Sequence, residues 1–202
     1  MIDTEVRRLL APALDRAGAW LVRRGAAADA VTVTGLVLAL AAAVAAARAS
    51  WWWALALWLA SRVADGLDGP VARAGGRATL FGGWADITAD FAAYGAFVAG
   101  CAIGQPDARV ACLVLLVTYY VNGGSLLAFS AAADVQKVAR PDERTFHFTR
   151  GVAEGAETIV VHSLMVLFPA WMPVIAWGFV ALVSVTIVQR VVLAVRVLRR
   201  VC

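Results

Sequence analysis

The sequence predicts an all-α integral membrane protein with six transmembrane helices, preceded by an N-terminal amphipathic helix on the membrane surface. Of the 202 residues, 62% are hydrophobic and only 16% are charged. The apolar runs are close to twenty residues long, which is enough for a helix to cross a bilayer. The short alternating segments that are typical of a transmembrane barrel are not found in the sequence. Composition and run length together therefore favour a bundle of membrane helices.

Residues 1–28 contain the predicted surface helix. Between residues 2 and 24, apolar residues recur at helical spacing opposite a basic face formed by Arg7, Arg8, Arg16, Arg23 and Arg24. This pattern is typical of a helix that lies in the membrane interface. A solvated helix packed on the next element would show the same pattern, so both interpretations stay open. We expect Pro12 to divide the helix or to begin its second half.

Residues 29–202 form the predicted six-helix domain. In chain order, we predict spans at about 29–48, 51–73, 79–103, 109–133, 150–169 and 175–198. The second span begins with three tryptophans at 51–53, an aromatic anchor of the kind found at bilayer interfaces. Cys101 and Cys112 would flank the turn between the third and fourth spans, but a disulfide between them is not favoured.

Six spans place both termini on the same side of the membrane. The loops on the opposite side carry only Arg48 and Arg109, whereas most other basic residues lie near the termini and the turn after the second span. The positive-inside bias therefore predicts that the termini and this turn face the cytoplasm. The N-terminal segment is too acidic and interrupted for a secretory signal. Basic patches interleaved with aromatic residues are missing, which argues against a nucleic-acid partner.

Four aspartates lie inside the second and third predicted spans: Asp65, Asp68, Asp86 and Asp90. The members of each pair are three or four residues apart and share one helix face. A buried unpaired charge is costly, so ionisable residues in a span indicate a functional site. Four acids require a cation, and oxygen-only ligands suit magnesium, manganese or calcium. The simplest candidate is a pair of divalent metal ions, which would form a clamp for displacement at phosphorus.

Displacement at phosphorus also needs a base to take a proton from the attacking hydroxyl, and the deepest carboxylate, Asp90, is the natural choice. Salt bridges from Arg62 to Asp65 and from Arg73 to Asp68 are an alternative, but two arginines cannot account for four acids. A cation transporter or an inactive membrane scaffold would also use intramembrane acids. The internal repeat that many transporters have is not found in the sequence.

A longer motif contains these aspartates. It begins Asp65-Gly-Leu-Asp68-Gly69-Pro-Val-Ala72-Arg73 and continues, after eight, three and three further residues, with Gly82, Asp86 and Asp90. In this motif, and in its six-span layout, the chain resembles the CDP-alcohol phosphotransferase family of integral membrane enzymes. The resemblance implies that a phosphatidyl group passes from a CDP-linked lipid, usually CDP-diacylglycerol, to a small alcohol in phospholipid biosynthesis, with release of CMP. It also implies a homodimer and magnesium or manganese ions held by the four aspartates, with calcium as a possible substitute in crystals.

The resemblance places the CDP moiety beside Gly69, Ala72 and Arg73. An arginine fork suits a pyrophosphate, and glycine lets the backbone approach a ligand. Ala72 would leave room for the nucleotide.

Two further positions align with the family's Pro-Asn/Asp-x-x-Thr element near the pyrophosphate. They are Asp29 and Thr32, and Ala28 stands where the family usually has proline. Asp29 could instead cap the first span. Thr79 could either cap the third span or contact a phosphate.

The acceptor alcohol is less well defined by the sequence. In relatives that use inositol phosphate, the fifth span contains a motif that resembles Glu-Arg-x-x-Arg. This chain has Gly155 and Thr158 in place of those arginines. The difference argues against inositol phosphate as the acceptor. The surrounding pattern resembles a branch of the family in the bacterial inner membrane, but it does not identify the acceptor.

Five residues are candidates for acceptor binding. Lys137, Arg140 and Arg150 could recruit a phosphorylated alcohol such as glycerol 3-phosphate, or could belong to an ordinary cytoplasmic loop. Glu154 and Glu157 share one face of the fifth span and could bind the hydroxyls or amine of a polyol or amino alcohol. Alternatively, these glutamates could pair with Arg150 and Lys137. His162, further along the same span, is expected to be a hydrogen-bonded core residue.

Overall fold

The computed structural model describes residues 2–76, 78–135 and 155–198. Within these ranges the chain forms seven α-helices and no strand, which confirms the predicted all-α class. The helices are α1 (Ile2–Arg23), α2 (Ala28–Ala47), α3 (Trp51–Ala74), α4 (Leu80–Gly104), α5 (Arg109–Val135), α6 (Gly155–Leu167) and α7 (Met172–Leu198). Short 3₁₀ helices at Pro106–Ala108 and Pro169–Trp171 lie in the α4–α5 and α6–α7 connections.

Four stretches in the described part of the chain are helical, long and apolar enough to cross a membrane. They are Ala28–Ala47, Leu80–Gly104, Pro106–Ala132 and Pro169–Leu198. α6 is apolar but shorter, and α3 has 24 residues but contains several charged residues in its second half. The count of six spans therefore stays a prediction. Helices α2, α3, α4, α5 and α7 nevertheless begin and end within three residues of the predicted bounds.

The core of the bundle is built where aromatic side chains from five helices meet. Trp58 of α3 stacks on Phe97 of α4, and His162 of α6 lies beside both rings. Tyr119 of α5 and Phe179 of α7 close the cluster. His162 is fully buried, and its Nε2 lies 2.8 Å from the Tyr119 hydroxyl. The expectation that His162 is a hydrogen-bonded core residue is therefore confirmed.

Small residues allow α2 to pack closely against α3 and α4. The buried positions of α2 are Gly35, Ala39, Ala42, Ala43 and Ala46. A Cβ atom added to Gly104 of α4 would collide with the backbone carbonyl of Ala46. Such close contacts are typical of membrane helices, whose association depends on van der Waals packing. Cys101 and Cys112 are buried free thiols.

The connection between α3 and α4 is short, and α2 packs against both helices. α3 ends at Ala74, and Gly76 has a φ of 63°, a left-handed conformation that glycine adopts without steric cost. Thr79 then caps α4, because its side chain accepts a hydrogen bond of 3.0 Å from the Gly82 N–H. The capping interpretation of Thr79 is therefore confirmed.

Helix α1 continues through Pro12, so the predicted division of this helix is wrong. The proline ring is exposed. The second half of α1 packs on α3, where Gly18 is buried against Pro70 and Val71. Tertiary packing supplies most of the stability of helices in proteins and here outweighs the hydrogen bond that proline cannot donate. Of the two interpretations of α1, packing on another helix is observed, but the partner is α3 and not the next element α2. Its location at a membrane surface stays a prediction.

Candidate active site

Three carboxylates from two helices meet near the α3–α4 turn. Asp65 and Asp68 of α3 and Asp86 of α4 each offer an oxygen atom, and these oxygens all lie within 4.8 Å of one another. The three-residue spacing puts Asp65 and Asp68 on one face of α3, and the tight turn aligns that face with Asp86. Along the helix axes the acids lie roughly 9–14 Å from the turn. The structure therefore brings together three of the four predicted metal ligands.

The acid cluster Asp65–Asp68–Asp86 fits a divalent cation. Oxygens on opposite sides of an ion with bonds of 2.0–2.6 Å are about 4–5 Å apart, which matches the spacing of the cluster. Asp68 is buried, and both of its carboxylate oxygens accept hydrogen bonds. Thr32 Oγ1 donates to Oδ2 at 2.7 Å, and the Gly69 N–H donates to Oδ1 at 2.6 Å. Hydrogen bonds of this kind orient ligands around a metal ion.

The fourth aspartate, Asp90, contacts an arginine. Arg62 Nη1 lies 2.7 Å from Asp90 Oδ1 and 3.6 Å from Asp65 Oδ2. The Arg62 side chain is only 5% exposed, whereas those of Asp65 and Asp90 are about a quarter exposed, at 26% and 28%. Asp90 thus borders the acid cluster but is held by Arg62 from the neighbouring helix. The sequence suggested a bond from Arg62 to Asp65, and the structure adds the shorter one to Asp90.

Arg73 pairs with α1 rather than with the acid cluster. Its Nη2 lies 3.2 Å from Asp15 Oδ1, and both side chains are largely exposed. The alternative pairing of Arg73 with Asp68 is therefore not what the structure shows. A Cβ atom added to Gly69 would lie 3.3 Å from Arg73 Nη1, so glycine leaves space between the backbone and the guanidinium.

A cavity of about 210 Å³ lies between the end of α1, the start of α2 and the end of α3. Its lining residues are mostly small: Val22, Gly25, Ala26, Ala27, Ala28, Val71, Ala72 and Gly75. Ala72 therefore faces an open volume, as the resemblance implies. Asp29 is exposed in the first turn of α2, whose N-cap residue is Ala27. The capping interpretation of Asp29 is wrong, because the helix begins one residue before it.

One of the five candidate acceptor residues lies in the described part of the chain. Glu157 is half-buried in the first turn of this helix. The other four candidates, Lys137, Arg140, Arg150 and Glu154, lie outside the described residues.

Sequence reasoning missed a second buried arginine, Arg190 of α7. It donates hydrogen bonds of 2.8 Å to the backbone oxygen and to Oδ1 of Asn122 in α5. An ionisable residue in the apolar run of the last span was the signal that could have identified it.

The chain matches known proteins over most of its length. Residues 26–198 match the family model described as CDP-alcohol phosphatidyltransferase. The inner membrane protein YnjF of Escherichia coli (strain K12) is 33% identical over 194 residues, which cover 95% of this chain and 94% of that protein. A phosphatidylinositol phosphate synthase of Streptomyces avermitilis is 28% identical over 205 residues, which cover 95% of this chain and 82% of that enzyme.

Solved structures show the same fold. The phosphatidylinositol phosphate synthase PgsA1 of Mycobacterium tuberculosis with CDP-DAG bound has a TM-score of 0.71 and 23% identity, with coverage of 90% of this chain and 93% of that one. The same enzyme in complex with manganese and citrate has a TM-score of 0.72, with coverage of 90% and 88%. The family match spans most of the chain. The chain therefore belongs to the CDP-alcohol phosphatidyltransferase family of transferases.

Proposed function

We propose that the protein transfers the phosphatidyl group of CDP-diacylglycerol to a small alcohol and releases CMP, at the cytoplasmic face of a bacterial inner membrane. The observation that carries this proposal is the acid cluster Asp65–Asp68–Asp86, which lies inside the family motif and has the spacing of a divalent cation site. The bound CDP-DAG and the manganese in PgsA1 support the same donor and the same type of metal here. Family resemblance supports a homodimer.

The donor site would combine the cavity with Arg73. The cytidine end of the lipid would enter beside Ala72 while its acyl chains stay in the bilayer. Arg73 is exposed and would exchange Asp15 for the pyrophosphate, which a guanidinium binds with two parallel hydrogen bonds. Gly69 would let the pyrophosphate approach the backbone of α3. Asp29, Thr32 and Thr79 complete the proposed donor site at the starts of α2 and α4.

The proposed metal ligands are Asp65, Asp68 and Asp86, joined by Asp90, which also acts as the base. Bound divalent cations would neutralise the phosphate oxygens and make the phosphorus more electrophilic. The hydroxyl oxygen of the acceptor would form a bond to the lipid-bearing phosphorus, and an Asp90 carboxylate oxygen would accept the proton of that hydroxyl. The bond from this phosphorus to the oxygen bridging to CMP breaks, and CMP leaves with the electron pair.

The acceptor is proposed to be glycerol 3-phosphate or another small polyol or amino alcohol. Gly155 and Thr158 replace the arginines expected for inositol phosphate, which removes two cations from the acceptor site. Glu157 is half-buried at the start of α6 and supplies a carboxylate that suits hydroxyl or amine groups. Lys137, Arg140, Arg150 and Glu154 complete the proposed acceptor site.

The test is CMP release by the purified protein in nanodiscs, with CDP-diacylglycerol, manganese or magnesium, and one acceptor at a time. The acceptors are glycerol 3-phosphate, inositol phosphate, inositol, serine, glycerol and choline, and the lipid product is identified by its mass. We expect one acceptor to drive CMP release and to give a lipid whose mass is the sum of the phosphatidyl group and that acceptor. Asp86→Asn should abolish the reaction, whereas Asp107→Asn, at the other end of the bundle, should not. A wild-type protein that neither binds the donor nor releases CMP would contradict the proposal.

A further inference from the structure

Arg62 is a buried cation that lies between two of the site's aspartates. Its Nη1 atom lies 2.7 Å from Asp90 Oδ1 and 3.6 Å from Asp65 Oδ2, and its side chain is 5% exposed. The same nitrogen thus joins the acid cluster to the proposed base. A buried charge requires such partners because its desolvation is costly.

The Arg62 guanidinium also has contacts on its core side. Its central carbon lies 4.8 Å from the centre of the Trp58 ring and 5.1 Å from that of Tyr94, both within the range of cation–π contacts. Nε donates to Ser61 Oγ at 3.2 Å, and that hydroxyl donates to the Trp58 carbonyl at 2.8 Å. Trp58 is itself fully buried. The guanidinium is therefore held from the core side as well, by contacts that do not involve the acids.

We infer that Arg62 is a positioning residue for Asp90, and that its charge competes with divalent cations for the carboxylates it contacts. The core fixes the guanidinium, and the guanidinium fixes the carboxylate of Asp90 at the border of the acid cluster. Its positive charge also offsets part of the repulsion among the four aspartates. The positioning part of this inference rests on the proposed role of Asp90 as base, whereas the competition part depends only on charge and distance.

A purely structural ion pair would behave differently when it is removed. Loss of one partner of a buried pair destabilises the fold. If Arg62 were only structural, its removal would therefore lower stability, cation affinity and activity together. Competition predicts the opposite sign for cation affinity. Because Arg62 repels a nearby divalent cation, its removal should make cation binding tighter.

The experiment measures manganese binding and CMP release for the full-length protein in nanodiscs. Free manganese is quantified by electron paramagnetic resonance without lipid substrate. The kcat is measured with the acceptor that gives a lipid product in the CMP-release test described above. For Arg62→Gln we expect the manganese Kd to fall by about tenfold and kcat to fall by about a hundredfold. Arg109→Gln removes an arginine from the opposite end of the bundle and should leave both quantities unchanged.

Arg62→Lys keeps the charge but cannot reproduce the planar fork of the guanidinium. We expect its manganese Kd to stay within about threefold of the wild type, while kcat falls by about tenfold or more. If Arg62→Gln does not fold, Arg62→Lys still tests the positioning role, and an unchanged kcat for Arg62→Lys would overturn that role. Weaker manganese binding by folded Arg62→Gln would overturn the inference that Arg62 competes with divalent cations. If the wild type shows no turnover with any acceptor, the proposed function fails, but the manganese measurement still tests competition.

Discussion

Thr32 of α2 donates a hydrogen bond of 2.7 Å to Asp68 Oδ2, and thereby joins the start of α2 to the acid cluster on α3. The bond spans 36 positions of sequence and fixes one of the two oxygens of a buried carboxylate. The Gly69 N–H fixes the other oxygen at 2.6 Å. Asp68 is therefore oriented by the protein itself, and hydrogen bonds that orient a ligand raise the affinity of a metal site.

Thr32→Val should weaken manganese binding by about tenfold, because valine keeps the shape of threonine but cannot donate to Asp68. Thr34→Val is the matched control, since the Thr34 hydroxyl is exposed and donates to the Ala30 carbonyl of its own helix. Manganese titration of both variants in nanodiscs measures the difference. Equal affinities for the two variants would show that the bond to Asp68 does not support the metal site.

Arg73→Gln should raise the KM for CDP-diacylglycerol by about tenfold or more, because it removes a charge-assisted hydrogen-bond donor to the pyrophosphate. Asp15→Asn breaks the same exposed ion pair but leaves the arginine in place. Exposed pairs contribute less than about 1 kcal/mol to stability, so this variant should fold normally and keep or lower the KM. Initial rates at varied donor concentration distinguish the two. A rise in KM for Asp15→Asn as large as that for Arg73→Gln would assign the ion pair a structural role instead.

Gly18→Ala should lower the melting temperature. A Cβ atom at this position would lie 2.8 Å from the backbone carbon and from Cβ of Pro70, so α1 must shift away from α3. Overpacking of this kind costs about 1–3 kcal/mol. Gly178→Ala in α7 is the control, because its Cβ would meet no atom of the described residues within 4 Å and alanine is the better helix former. Thermal unfolding in one detergent should rank Gly18→Ala below the wild type and Gly178→Ala at or above it.

The helices could be predicted from the sequence because each one is an apolar run that ends at a turn. α3 was predicted at residues 51–73 and forms Trp51–Ala74. The spacing of Asp65 and Asp68 likewise predicted a shared helix face, and the two acids do offer oxygens to one cluster. These features depend on local periodicity, which a single sequence contains.

The partners of the arginines could not be predicted in the same way. For Arg62, local spacing suggested Asp65, whereas the shortest bond goes to Asp90, 28 positions away. For Arg73 it suggested Asp68, whereas the partner is Asp15, 58 positions away. Both outcomes depend on how α4 and α1 are placed and rotated relative to α3, and helical periodicity within one segment does not determine that placement. The continuity of α1 through Pro12 depends on the same packing.

The central claim is that these aspartates perform phosphatidyl transfer, with Asp90 as the base, and the most direct measurement compares CMP release by wild-type protein and Asp90→Asn. Both proteins should be folded in nanodiscs and tested with manganese, CDP-diacylglycerol and the acceptor identified by mass. We predict steady CMP release by the wild type and a loss of about a hundredfold or more for folded Asp90→Asn. CMP release by Asp90→Asn at the wild-type rate would contradict the account.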